Sequence, residues 1–156
     1  MDEVLAALQA TPVAQYLRTA RWGYAALNTA HVFGIAVLVG AILPLDLRLL
    51  GFWPQTSRAD LVRILVPVAV AGLVLAAVTG PLLFAMRAEE YAALGIFRLK
   101  LVLIALGIAG ALILHRAYGL ALNGASDQRV AVHAALSLVC WLGALVCGRF
   151  IAFAIE

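Results

Sequence analysis

The sequence predicts an all-α integral membrane protein: an up-down-up-down four-helix transmembrane bundle behind a short N-terminal amphipathic surface helix. Three observations predict it. The 156 residues are 65% hydrophobic and 12% charged, with a mean hydropathy of +1.06, whereas soluble domains run about 45–50% apolar and ~25% charged. Four long apolar runs are joined by short stretches rich in charge and turn residues. No Gly/Ser/Pro-rich linker divides the chain, so one membrane domain accounts for its length.

Residues 2–19 come first. Val4, Leu5 and Leu8 make one apolar face, and Thr11-Pro12 reads as an N-cap followed by proline at the first helical position. A short helix on the membrane surface is expected there, with a loosely ordered terminus as the alternative. The start, MDEV, lacks a basic leader and an apolar core, so no signal peptide is expected.

The first span is placed at about 22–45. Gly23 to Leu45 carry no formal charge, and 23 residues make roughly 34 Å of helix, enough to cross a ~30 Å hydrocarbon layer with some tilt. Within it lie Asn28, Thr29 and His31, which are costly in lipid unless they face protein or a cofactor. Arg21, Tyr24, Asn28 and His31 fall three or four apart and share a face. That polar stripe needs covering partners.

Pro44, Asp46, Arg48, Gly51 and Pro54 mark the exit, with Trp53 suited to the headgroup level. Ser57-Arg-Ala-Asp60 resembles a capping box, so the second helix should start near Arg58 and its span, about 60–86, should bend near Pro67 and Gly80-Pro81. Gly72, Ala76 and Thr79 line a face that a neighbouring backbone can approach. A short polar connection, 87–96, leads to the third span at about 97–118. A loop over 119–129 leads to the fourth at about 130–154, where Ala144 and Gly148 form a small-xxx-small pair.

Short loops make consecutive spans antiparallel neighbours and put both termini on one side. The terminal side then holds Arg18, Arg21, Arg87, Arg98, Lys100 and Arg149, and the other holds Arg48, Arg58, Arg63, Arg116 and Arg129. The balance sets no orientation. The net charge of +3 sits at helix ends, where anionic headgroups and snorkelling account for it, and nucleic acid is excluded as a partner. The lipid bilayer is the partner that composition implies. Cys140 and Cys147 are roughly 10 Å apart on a helix, too far to bridge each other.

The run YLRTARWGYAALNTAHVFGIAVLVGAILPLDLRLLG resembles the opening of the DUF6644 family of small bacterial four-span membrane proteins. The likeness continues in VTGPLLF (78–84), YAALGIFRLKLVL (91–103), His115 and SLVCWLGALVCGRFIAF (137–153), and so covers most of the chain. It implies a four-span fold in a bacterial cytoplasmic (inner) membrane, but no activity. More remotely, the architecture and histidines are similar to copper-resistance D-type and b-type cytochrome membrane domains. His31 and His115 have counterparts in the family pattern, and His133 has no obvious one.

Three histidines carry the candidate chemistry. Aligning the centres of the uncharged runs puts His115 and His133 level, roughly 10 Å from the midplane on the side away from the termini, and His31 about 5 Å toward the terminal side. Two level imidazoles on antiparallel helices could ligate one haem iron. The stripes Lys100, Ile104, Gly107, Ala111, His115 and His133, Ser137, Cys140, Ala144, Cys147 contain small residues that would leave room for a macrocycle, or for tight helix packing. Interfacial histidines reaching headgroups are the competing reading. Any haem would be non-covalent haem b, because no CxxCH occurs. A His31–His115 pair, which the family resemblance favours, would be roughly 15 Å apart along the normal.

His31 reads as a ligand, a proton carrier or a quinone hydrogen-bond donor, or else as a helix–helix hydrogen bond to Thr79 or a backbone carbonyl. Arg21, Arg98, Lys100 and Arg149 could hold haem propionates, a quinone headgroup or anionic lipid. Asp46 and Arg48 read as an interfacial charge pair with Arg58 or Arg63 nearby, Asp46 alternatively as a proton carrier. His31, Cys140, Cys147 and Met86 could suit Cu(I), without a recognised spacing. No hydrolase motif or phosphate loop occurs. The expected function is a b-haem-binding or quinone-linked electron-transfer subunit, with quinone or a larger membrane complex as partner. The alternatives are a copper or small-solute permeation protein and a non-catalytic accessory subunit.

Overall fold

The computed structural model describes residues 2–154 apart from 21, 120, 121 and 123. Seven helices are formed among them: α1 (Asp2–Gln9), α2 (Pro12–Thr19), α3 (Gly23–Leu49), α4 (Arg58–Met86), α5 (Ala88–Ala93), α6 (Gly95–Tyr118) and α7 (Asp127–Ala154). Four of them, α3, α4, α6 and α7, are long and apolar enough to cross a membrane. They form the expected antiparallel bundle, with the start of α3 and the end of α7 at one end, called here the terminal end.

Local chemistry fixes the helix starts. Thr11 Oγ1 accepts from the Ala14 N–H at 3.4 Å, with Pro12 in the first turn, and Ser57 Oγ accepts from the Asp60 N–H at 3.3 Å. Both satisfy an amide that the helix itself leaves open. α4 runs unbroken through Pro67 and Pro81. The expected surface helix is two helices, α1 and α2. They lie against α4, α1 also against α5 and α2 against α3, and Ala14 of α2 and Ala88 of α5 are buried. The 87–96 connection is not merely polar coil. Its Ala-Glu-Glu-Tyr-Ala-Ala run consists mostly of strong helix formers and folds as α5.

Packing follows the small residues. A Cβ on Gly72 would stand 2.5 Å from the Leu38 nitrogen and 2.7 Å from the Gly34 oxygen, and one on Gly34 would stand 2.9 Å from the Ala76 nitrogen. The backbones of α3 and α4 touch at this crossing, which only paired glycines allow. α3 also packs on α7, and α7 on α6. Consecutive spans are therefore not all neighbours: α4 and α6 do not pack along their lengths, and the order across the bundle is α4, α3, α7, α6.

At the end away from the termini the four spans converge. Leu45 and Leu49 from α3, Val62 from α4, Leu114 from α6, and Val130 and Ala134 from α7 form one buried cluster with Leu122 of the connecting loop. Arg58 meets Asp127 at 2.8 Å across the starts of α4 and α7, and Arg129 donates to the Tyr118 hydroxyl. The exposed Asp127 makes that ion pair a minor contributor. This end is closed.

Candidate functional site

At the terminal end the α4–α6 gap becomes a cavity of about 1050 Å³. Along α4 its lining runs from Leu73 to Met86, which is about 20 Å of helix and two-thirds of the hydrocarbon thickness. Its walls are apolar: Ile35 and Leu38 from α3, Leu73 from α4, Ile104 and Ile108 from α6, and Trp141 from α7. Towards the terminal end the gap is bridged by aromatic rings. Phe84 of α4 stacks on Phe97 of α6 with centroids 5.3 Å apart, and Tyr91 of α5 leans on both at 6.3 and 5.7 Å. The opening between α4 and α6 is thus framed by this aromatic bracket on one side and the closed apolar cluster on the other.

Polar groups line the cavity too: Arg18, Tyr24, Asn28, His31, Arg87, Tyr91 and Lys100, with no carboxylate among the lining residues. His31 extends from α3 to α4, where its Nδ1 lies 2.9 Å from Thr79 Oγ1. The Thr79 hydroxyl hydrogen is already committed, because Oγ1 donates to the Leu75 carbonyl at 2.7 Å. A hydroxyl has one hydrogen, so its oxygen accepts from His31 Nδ1–H. Gly80 makes room for the ring, since a Cβ there would stand 3.3 Å from His31 Cε1. With Nδ1 on Thr79 and Cε1 over Gly80, and with the Ala76 carbonyl also bonding the ring, Nε2 is the nitrogen turned away from Thr79. The expected helix–helix hydrogen bond to Thr79 therefore forms, and with Nδ1–H spent on it neutral His31 has no hydrogen left for the expected donation to a quinone.

Lys100 faces the cavity from the opposite wall. Its Nζ would be 3.4 Å from a Gly148 Cβ, so the side chain lies flush against that glycine of α7. It forms no hydrogen bond or ion pair among the described residues. Tyr91, outside the spans, has its hydroxyl pushed above its ordinary value by burial, with Tyr24 and Glu90 adding to the effect and Arg87 opposing it. It remains a neutral donor at the cavity mouth.

The other sequence candidates separate. Of the cation cluster, only Lys100 is a lining residue; Arg98 is exposed, Arg149 stacks over the Phe153 ring at 4.6 Å, and Arg21 lies outside the described residues. Arg18 and Arg87 take their places, and their position on the terminal side was the only sign of it in the sequence. His115 and His133 sit at the closed end. The His115 ring lies 3.5 Å from the Gly119 carbonyl, and His133 lines a shallow surface depression with Ser126, Gln128, Arg129 and Val132. The Gly107 recess is occupied: a Cβ there would meet the Trp141 indole at 3.0 Å. Trp141, a lining residue with no place among the expected ligands, fills the recess that the small residues leave for a macrocycle or for tight packing, and so favours the packing.

The expected Asp46–Arg48 charge pair does not form. Arg48 donates to the Thr56 and Pro54 carbonyls at 2.7 and 3.1 Å and ties down the α3–α4 loop, while Arg58 is engaged with Asp127. Residues two apart on a helix point to different faces. Asp46 is buried toward Ser137 of α7, with Oδ2 unpartnered. Cys140 and Cys147 are free and buried, and Met86 lines the cavity with His31. No group of three or more His, Cys, Asp or Glu among the described residues is placed to hold a metal.

Four spanning-length apolar helices around a lateral cavity define a multi-pass membrane protein. No protein-family model matches the chain, and neither a curated protein nor a solved structure matches it.

Proposed function

We propose that the protein is a quinone-linked electron-transfer subunit of the membrane, one that takes a ring-headed, long-chain quinone from the bilayer through the α4–α6 opening. One observation carries this reading: an apolar cavity of about 1050 Å³ whose polar end presents His31 and Lys100 from opposite walls. Ligand sites combine largely apolar walls with a few convergent polar groups, and they run to roughly 300–1,000 Å³. The apolar walls suit an isoprenoid chain, and the histidine acceptor and the ammonium suit a hydroxyl and the second oxygen of the reduced ring. The likeness to the DUF6644 family and a bacterial inner-membrane location accompany this proposal.

Haem b is a second reading, favoured by the free His31 Nε2 and by Arg18, Arg87 and Lys100 as partners for propionates. The fit is partial. His31 is the one histidine among the lining residues, so the cavity offers a single imidazole rather than a pair.

The experiment is binding of a decyl-chain quinone to the detergent-solubilised protein, together with its absorption spectrum. Binding of the reduced, hydroxyl-bearing form of that quinone that falls at least tenfold in His31→Leu, with helix content unchanged, is the expected result. A Soret band would move the assignment to haem. Neither quinone binding nor a Soret band would favour a permeation protein or an accessory subunit.

A further inference from the structure

We infer that the cavity selects the hydroxyl-bearing, reduced form of its ring-headed ligand, because His31 presents a hydrogen-bond acceptor to it. This rests on the quinone-linked reading and adds the chemical state of the head. The chain of reasoning starts at the Leu75 carbonyl. It takes the single Thr79 hydroxyl hydrogen at 2.7 Å, which obliges Thr79 Oγ1 to accept from His31 Nδ1–H at 2.9 Å. In the neutral ring the other nitrogen is then an acceptor. Thr79 is buried and Gly80 holds the ring edge, so the arrangement is built into the α3–α4 contact rather than left to solvent.

A quinone carbonyl has no hydrogen to give Nε2, and the two lone pairs would face each other. A quinol hydroxyl donates to Nε2, and its second oxygen accepts from the Lys100 ammonium on the opposite wall. That satisfies a histidine acceptor and an ammonium that has no hydrogen-bond partner among the described residues. A site built to bond a hydroxyl rejects an analogue lacking it, because the site's own polar group is left unpaired. Thr79 is a positioning residue here: it touches no ligand and acts by fixing which imidazole nitrogen carries the hydrogen.

The test uses a redox-inert pair with identical alkyl chains, an alkylphenol and its O-methyl ether, alongside decyl-chain quinol and quinone. The full-length protein in detergent should bind each hydroxyl-headed member about tenfold more tightly than its partner. In Thr79→Val, which keeps the side-chain shape and removes the acceptor, the ratio should fall to within about twofold, while Thr79→Ser should retain it. Helix content and total quinone capacity should remain at wild-type levels. Equal binding of the pair by wild type, or a preference for the ether and quinone, overturns the inference while leaving quinone binding intact. A full preference surviving in Thr79→Val overturns the tautomer argument. Binding of none of the four probes removes the quinone-linked reading itself.

Discussion

The two ends of this bundle are made by the same four helices, yet one is packed shut and the other stands open. Away from the termini, leucines and valines from α3, α4, α6 and α7 meet in a single cluster. At the terminal end, α4 and α6 bracket a cavity of about 1050 Å³. In lipid, apolar side chains gain little by turning to each other, so close approach depends on small residues that let backbones touch. α4 uses Gly72 against Gly34, and α6 uses Gly107 against Trp141 and thereby joins α7. Gly110 of α6 has nothing near it. The small residues of α6 that could have drawn α4 in are taken by α7 or left unused. A cavity is what remains between two helices whose best contact faces point elsewhere.

The largest effect should come from breaking the crossing that both ends share. Gly72→Leu forces a side chain into backbone atoms at 2.5 and 2.7 Å, which cannot move aside as a flexible chain end would. Overpacking usually costs about 1–3 kcal/mol, and backbone obstruction places this variant above that range. Unfolding in mixed micelles should show it, and a stability within about 1 kcal/mol of wild type would refute the packing described for α3 and α4.

The next comparison pits the ends against each other. Leu114→Ala at the closed end opens a void and should cost about 2–5 kcal/mol. Ile104→Ala borders space that is already empty, so little beyond the transfer of its lost carbons is at stake, about 1–2 kcal/mol. Equal losses in the same unfolding assay would mean that the terminal end is as tightly packed as the other.

The smallest effect is alkaline. The Tyr91 hydroxyl, held above its ordinary value of ~10, keeps its proton more firmly in the folded state than in the unfolded one. Its contribution is complete below the unfolded value and is lost as pH rises through the raised folded value. Wild type should therefore lose stability above about pH 10, and Tyr91→Phe should lack that component. Parallel curves for the two proteins would show that Tyr91 does not bear on the mouth of the cavity.

Much of this was legible in the sequence. Charge-free length gave the four spans, the Thr11-Pro12 and Ser57 signals gave the helix starts, and the Gly72–Ala76–Thr79 face pointed to the helix that covers His31. Periodicity tells which face is small but not which neighbour fills it. For that reason Gly107 read as room for a macrocycle or for tight packing and it is the packing, against Trp141, that forms, while α4 and α6 read as neighbours and do not pack along their lengths. Asp46 and Arg48, close in the chain, suggested an ion pair that their different helix faces prevent. Arg18 and Arg87 reach the site only through how α2 and α4 end, which no local pattern encodes.

Asp46 also bears on the order in which the protein is put together. Its side chain turns toward Ser137, which is made 91 residues later (137 − 46). During synthesis α3 therefore enters the bilayer with a carboxyl group near its far end and no companion for it. α4 follows directly and locks onto α3 through the glycine crossing, giving a first hairpin; α6 and α7 make a second. If the seam between α3 and α7 closes after both hairpins are in place, Asp46 is shielded only then. The cavity lies between the α3–α4 and α6–α7 hairpins. A chain ended and released at residue 94 should leave α3 and α4 protease-protected in the membrane, with Asp46 still open to carboxyl-directed labelling.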